Sequence, residues 1–231
     1  MKTVAVIPAY NEEALIAGVV EETRKHCDEV IIVDDCSTDG MPEVARNLGV
    51  TYVRHTKNMG QGASTRTGVE IALLHGADII VTLDGDGQHD ASQIPLLLDP
   101  LIADSQADIA MGSRFLKGSN GSHGVPQYRK LGIDLITRSY NLGCQQKISD
   151  SLLCFRAFRR RVFEIITIKE NGFGFCPEML VKARKARFRV VEVPTHCTYH
   201  ANYRLNSTFS PIRLASILVW KTLLWRWRIE R

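Results

Sequence analysis

The first half of the chain alternates short apolar runs with stretches of helical periodicity. Residues 2–7 carry Val4-Ala5-Val6-Ile7 and predict a strand. Leu15, Ile16, Val19 and Val20 then share one helical face, with Asn11 suited to the N-cap and Glu12 and Glu13 to the first turn. A second strand over 30–33 runs into Asp34-Asp35. The next helix carries Val44, Ala45 and Leu48, with Thr38 or Asp39 as its cap and Gly49 at its end. A strand over 51–54, a turn at 58–62, a helix over 63–75 and a strand over 79–83 follow. A helix over 92–102 takes Pro95 in its first turn, and a strand over 109–111 closes on Gly112-Ser113-Arg114. Strands and helices joined by short links predict an α/β fold: a mostly parallel central sheet with helices on both faces.

The second half is less regular. Residues 117–125, rich in Gly and Ser, predict a mobile loop, either a lid beside a site or a plain connection. Helices are predicted over 126–142, 159–168 and 177–186, and strands over 154–158 and 190–193. The composition shifts only at the C-terminus, which divides the chain into residues 1–209 and an amphipathic, Trp-rich, basic helix over 210–231. That helix is too short and too charged to span a membrane. It suits a membrane interface, a docking place on the core, or contact with a second copy in a homo-oligomer.

Composition adds little to this pattern. The chain has 231 residues, 45% hydrophobic and 23% charged, an ordinary mixture for building a core. A net charge of +4 without alternating aromatic and basic residues predicts no nucleic-acid partner. The six cysteines include no CxxC pair and no zinc-site spacing with histidine, so they read as reduced residues of a cytoplasmic protein. The first residues enter a strand at once and lack the regions of a signal peptide. Of the seven histidines, His89 follows an acidic turn and suits a ligand or supporting contact. His26, His55, His75, His123 and His196 read as surface or structurally satisfied residues.

The chemistry concentrates where strands end. In parallel α/β sheets, ligands bind outside the carboxyl ends of the strands. Tyr10 to Glu12, Asp34-Asp35, Asp84 to Gln88 and Ser113-Arg114 all fall there. Asp84-Gly85-Asp86-Gly87 is either a solvated turn or a divalent-cation site facing substrate phosphates. Two acids at the end of a buried strand repel each other, which favours the cation once the other clusters converge on the same edge.

These clusters, with the turn at 58–62 and Phe155-Arg156-Ala157-Phe158, resemble in their order the family 2 glycosyltransferases of GT-A fold. The subgroup they look most like is the dolichyl- or polyprenyl-phosphate hexose synthases. The resemblance implies that residues 1–209 form a GT-A domain. It implies that Pro8, Tyr10, Glu12 and Asp35 hold the base and ribose of a nucleotide-sugar such as GDP-mannose or UDP-glucose. Asp84, Asp86 and Gln88 would then hold Mg²⁺ or Mn²⁺, cations that prefer oxygen ligands. Arg114 and Arg129 match phosphate-binding arginines, and Asp150 an acid near the acceptor that orders the site or serves as a base. The resemblance further implies an inverting transfer to a polyprenyl or dolichyl phosphate, peripheral to the cytoplasmic face of a membrane.

Three positions depart from the family's pattern. Gln61 stands where lysine is common, and Leu153-Cys154 where Ser-Gly is common. Thr208 follows Ser207 where a basic residue is common, leaving Arg204 or His200 to supply that contact. These departures keep two other readings open. One is a family 2 enzyme acting on a hydroxyl of a glycan, protein or small molecule. The other is a non-catalytic nucleotide-sugar-binding subunit.

Overall fold

The computed structural model of the chain describes residues 1–104, 106–119, 125–198 and 211–227. The strands are β1 (Thr3–Ala9), β2 (Glu29–Asp34), β3 (Thr51–Arg54), β4 (Ile79–Thr82), β5 (Ile109–Ser113), β6 (Arg156–Arg159) and β7 (Val190–Pro194). They form one sheet in the order β3-β2-β1-β4-β6-β5-β7. β6 runs antiparallel to β4 and β5, and the other pairings are parallel. The helices are α1 (Ile16–Thr23), α2 (Met41–Asn47), α3 (Gln61–Leu74), α4 (Ile94–Ala103), α5 (Gln127–Asn141), α6 (Arg160–Ile165), α7 (Phe175–Lys185) and α8 (Pro211–Trp227).

Alternation within the apolar runs sorts the core. Ala5, Ile7, Ile32, Ile79 and Val81 face one side, where α1, α2 and α4 contribute Ile16, Val20, Met41, Ile94 and Leu97. Val4, Val6, Ile31, Val33 and Ile80 face the other, against Val69 and Ala72 of α3. Beyond β4, Ile109, Met111 and Phe158 pack on Met179, Leu180 and Ala183 of α7. Burial on both faces explains why the strands read as continuous apolar runs. Gly68 permits the close approach of α3 to the sheet, since a Cβ there would lie 2.3 Å from Val6 Cγ1.

Several local expectations are corrected. Asn11 does not cap α1: it takes φ 58, and its Oδ1 accepts from the Thr38 N–H at 2.8 Å. The helix starts later, where the Glu12 carbonyl accepts from Leu15 and Ile16. The segment expected as one helix over 92–102 opens with a 3₁₀ turn at Ala91–Gln93, capped by Asp90, and α4 continues through Pro100. The strand expected at 154 begins at Arg156. Residues 120–124 of the expected loop lie outside the described residues.

α8 packs on α5 and α7. Leu218 and Thr222 are buried against them, Lys221 pairs with Glu170 at 2.7 Å, and Arg226 donates to the Tyr140 carbonyl at 2.6 Å. The helix is not simply amphipathic. Its docked side is apolar, yet Trp220, Leu224 and Trp227 leave an apolar outer side in solvent.

Gly68→Ala tests the close approach. The usual gain of about 1 kcal/mol for Ala over Gly in a helix is outweighed by overpacking, which typically costs about 1–3 kcal/mol. The urea midpoint is expected to fall, with an unchanged slope.

Candidate active site

The carboxyl edge of the sheet is braced from its own sequence. Glu13 accepts the Gly40 N–H at 2.9 Å, and Asp39 accepts the Glu13 N–H at 3.1 Å. The loops after β1 and β2 are thereby tied to each other. Asp34 is buried and accepts from Ser37 N and Tyr52 Oη. Asp35 accepts the Met59 and Gly60 N–H groups at 2.8 and 2.6 Å and pairs with His55 Nδ1 at 2.8 Å. It thus pins the turn that leads into α3. His55 completes the link through its Nε2 contact with Thr67 Oγ1 at 3.0 Å.

Pro8 is buried inside β1. It lies at the end of the strand, next to the loop that carries Tyr10 and Glu12. Its missing N–H is harmless, because pairing with β4 stops at Val6. Tyr10 and Glu12 lie half-buried beyond the strand. Burial, then the charges of Asp86, Asp84 and Asp39, pushes the Glu12 carboxyl up to about 7.

Asp84 follows β4 and accepts from Gln61 Nε2. Burial raises its carboxyl to about 6, although Gln61 and the charge of Arg114 oppose the rise. Gly87 takes φ 68, which turns the chain so that Gln88 folds back on Asp86. The Gln88 backbone N–H and Nε2 donate to the two Asp86 oxygens at 3.0 and 2.7 Å. His89 is buried, stacks on Phe155 at 5.4 Å, and accepts the Asp84 N–H at Nδ1. Its proton therefore sits on Nε2, and burial drives its pKa down to about 4, so the ring is neutral.

On the other side of the cleft, Arg114 Nε and Nη2 grip Asp150 in a bidentate pair at 2.6 and 2.8 Å, with both residues buried. Burial alone would raise the Asp150 carboxyl. The charge and hydrogen bonds of Arg114 outweigh that and hold it below the ordinary value. Glu192 accepts from the Ser149 and Asp150 N–H groups and fixes that loop. Arg156 is fully buried and donates to the carbonyls of Ser151, Leu153 and Cys176. It is a scaffold under the cleft.

Between these groups lies a cavity of about 150 Å³. Asp84, Gln88, Gln61, Arg114 and Arg129 line its polar end. Ile133 and Ile136 of α5, Leu152, Leu153, Phe173, and Leu214 and Leu218 of α8 line the rest. The apolar wall was missed in the sequence reading, because these positions are indistinguishable from core residues. Arg204 and His200 fall outside the described residues.

The donor set at Asp84 and Asp86 suits a hard divalent cation. It is all oxygen, Glu12 adds a third negative group nearby, and the Gln88 amide carries a further oxygen. Among the described residues, no group of three or more His, Cys, Asp or Glu is arranged as a closed metal cage. Such a pair fits an ion whose remaining ligands are substrate oxygens.

The open α/β sheet, with its acids and Arg114 along one carboxyl edge, has GT-A architecture. The chain belongs to glycosyl transferase family 2, whose family model matches residues 4–166. It is 33% identical over 217 residues to UDP-N-acetylglucosamine–dolichyl-phosphate N-acetylglucosaminyltransferase of Methanococcus voltae, with 84% of each chain covered. It is 32% identical over 207 residues to polyprenol monophosphomannose synthase of Mycolicibacterium smegmatis, covering 84% of this chain and 76% of that one. The fold matches glucosyl-3-phosphoglycerate synthase of Mycobacterium tuberculosis, solved with Mn²⁺ and UDP, at a TM-score of 0.72. Sequence identity there is 22%, with 97% of this chain and 79% of that chain covered.

Two outcomes test this geometry. Asp150→Asn leaves the Arg114 charge buried without its partner and is expected to cost about 3–5 kcal/mol in chemical unfolding. Glu12 titrates higher in the folded chain than its ordinary 4.5, so folding favours its protonated form. That contribution is complete below about 4.5 and is lost as pH rises to about 7. Without divalent cations, the Tm of Glu12→Gln relative to wild type is expected to rise across that window. A pH-independent difference would contradict the assignment.

Proposed function

We propose that the chain transfers a hexose, mannose or glucose, from a nucleotide-sugar to a polyprenyl or dolichyl phosphate, with inversion. The observation that carries this reading is the two-ended cleft. Acids and arginines occupy one end and an aliphatic wall the other, which matches an acceptor with an anionic head and an isoprenoid tail. The names of the two relatives agree with such an acceptor. In this reading residues 1–209 are the transferase domain, and the helix over 210–231 completes the acceptor side.

Tyr10, Glu12 and Asp35 lie at the donor end. Asp35 already spends its oxygens on the turn at 58–62, so it shapes the nucleotide site through that turn. Asp84, Asp86 and the Gln88 amide oxygen would hold Mg²⁺ or Mn²⁺, which supplies charge neutralisation to the departing nucleoside diphosphate. Gln88 and Gln61 orient the two carboxylates. Arg129 and the Arg114–Asp150 pair line the place of the acceptor phosphate. A phosphate oxygen attacks the anomeric carbon, the new C–O bond forms, and the bond to the diphosphate breaks.

A phosphate is already an anion near neutral pH and needs no base, only positioning and charge screening. This agrees with Asp150, which Arg114 holds ionised and engaged. A hydroxyl acceptor would ask Asp150 to act as a base. Among the described residues, no helix is long and apolar enough to cross a membrane. In this reading the chain meets its lipid acceptor peripherally, at the cytoplasmic face.

The test is a screen of labelled GDP-mannose, UDP-glucose and UDP-N-acetylglucosamine with polyprenyl phosphate and Mg²⁺ or Mn²⁺. Label is expected in the organic phase, and chelation should stop its transfer. Label confined to water-soluble products would overturn the lipid acceptor, and donor binding without turnover would favour the non-catalytic subunit. Asp86→Ala is expected to lower turnover by about 100-fold or more while the circular dichroism spectrum stays that of wild type.

A further inference from the structure

A second cavity, of about 480 Å³, opens at the opposite edge of the sheet, where α5 ends and β7 begins. Arg184, Arg187 and Arg189 line it, with Gln145 and Gln146, and no carboxylate lines it among the described residues. Arg184 is held over the Tyr140 ring at 5.8 Å. Beyond the lining, the Arg189 guanidinium pairs with Asp104 at 2.8 Å and its backbone N–H donates to Asp108 at 2.8 Å. Arg187 is exposed and takes φ 59, an unusual backbone for arginine. Three guanidinium groups around an acid-free cavity suit a phosphate.

This cavity adjoins an apolar surface. On α5, Tyr128, Leu131 and Leu135 are exposed at helical spacing beside the Asp134–Arg138 pair, and Leu142 is exposed just past the helix end. On α8, Trp220, Leu224 and Trp227 are spaced likewise, with Trp220 64% and Trp227 78% exposed. The helices lie side by side and run the same way: Gly132 of α5 lies near Ala215 of α8, and the carbonyls of Ser139 and Tyr140 accept from Arg226. Both stripes lie opposite the buried residues of their helices. Leu142 and Trp227 end them beside the arginine cavity, whose wall includes Tyr140 and Gly143. At the other end, Tyr128 belongs both to the stripe and to the wall of the catalytic cleft.

We propose that the arginine cavity receives the phosphate of an anionic phospholipid headgroup while the outer faces of α5 and α8 rest in the same bilayer. Mixed Trp and Leu beside clustered arginines is the composition of a membrane interface. The bilayer satisfies both halves of the surface at once: apolar stripes meet the acyl boundary, and the positive cavity meets the phosphate layer. The placement also brings the mouth of the cleft to the membrane. In that respect it rests on the lipid-acceptor reading, whereas the binding itself needs no acceptor.

Flotation of the full chain with phosphatidylcholine vesicles, with and without phosphatidylglycerol, tests the proposal. Binding is expected to the anionic vesicles and to weaken with salt. Trp220→Ser with Trp227→Ser should reduce it by about ten-fold or more. Arg187→Asn, a residue tolerant of the same backbone, should weaken it by about five-fold. Transfer to detergent-dispersed polyprenyl phosphate should stay unchanged in Arg187→Asn. Equal affinity for both vesicle types, or an Arg187→Asn variant that binds like wild type, overturns the headgroup site. Binding of inorganic phosphate lost in Arg187→Asn, without vesicle binding, assigns the cavity to a free anion and overturns the proposal. So does a dimer in solution that the tryptophan variants abolish while vesicles are ignored. Vesicle binding without transfer to any lipid phosphate leaves the docking face standing and removes the acceptor reading alone.

Discussion

Folding brings several acidic side chains to one edge of a single sheet. Glu12 follows β1, Asp84 and Asp86 follow β4, and Asp39 stands behind them after β2. Burial raises Glu12 and Asp84 above ordinary carboxyls, and the neighbouring acids raise Glu12 further. Nothing in the apolar core demands this arrangement, and the core could end its strands on neutral residues. The edge therefore carries electrostatic strain, which a cationic or proton-donating partner relieves.

The acids that serve the fold behave differently. Asp34 takes hydrogen bonds from Ser37 and Tyr52, and Asp35 from two backbone N–H groups and His55. Asp150 is matched in a bidentate pair by Arg114. Each is buried, and each has its charge answered within the chain, as burial requires. Residue type and strand-end position are shared with Glu12, Asp84 and Asp86, so only the folded chain tells the two sets apart.

Much of this was legible in the sequence. Apolar runs against amphipathic stretches revealed the βα alternation from Val4 to Met111, and Gly49, Pro95 and the Asp84 turn marked its joints. Strand direction was not legible: the run around Phe155 to Phe158 has the same periodicity whichever way it lies, so the antiparallel β6 emerged only from pairing. The roles of Asp34 and Asp35, adjacent and chemically identical, diverge because of Tyr52, His55 and Met59, partners distant in sequence. Gln61 showed only as a departure from a family pattern, until its amide proved to hold Asp84. The wall of Ile133, Ile136, Leu214 and Leu218 was hidden because a cleft-lining aliphatic residue and a core one carry the same signal.

The reversed strand has a consequence for how the cleft diversifies. The parallel strands β1, β2 and β4 deliver their polar groups through loops that leave the sheet, whereas β6 is reached through a loop that enters it, carrying Asp150 to Phe155. The two walls therefore belong to separate connections with separate supports: Asp35 and His55 on one side, Glu192 and Arg156 on the other. Insertions or substitutions in the entering loop can reshape one wall while the register of β1, β2 and β4 stays fixed. Such a scaffold lets selectivity drift at one half of the site while the other half is held constant.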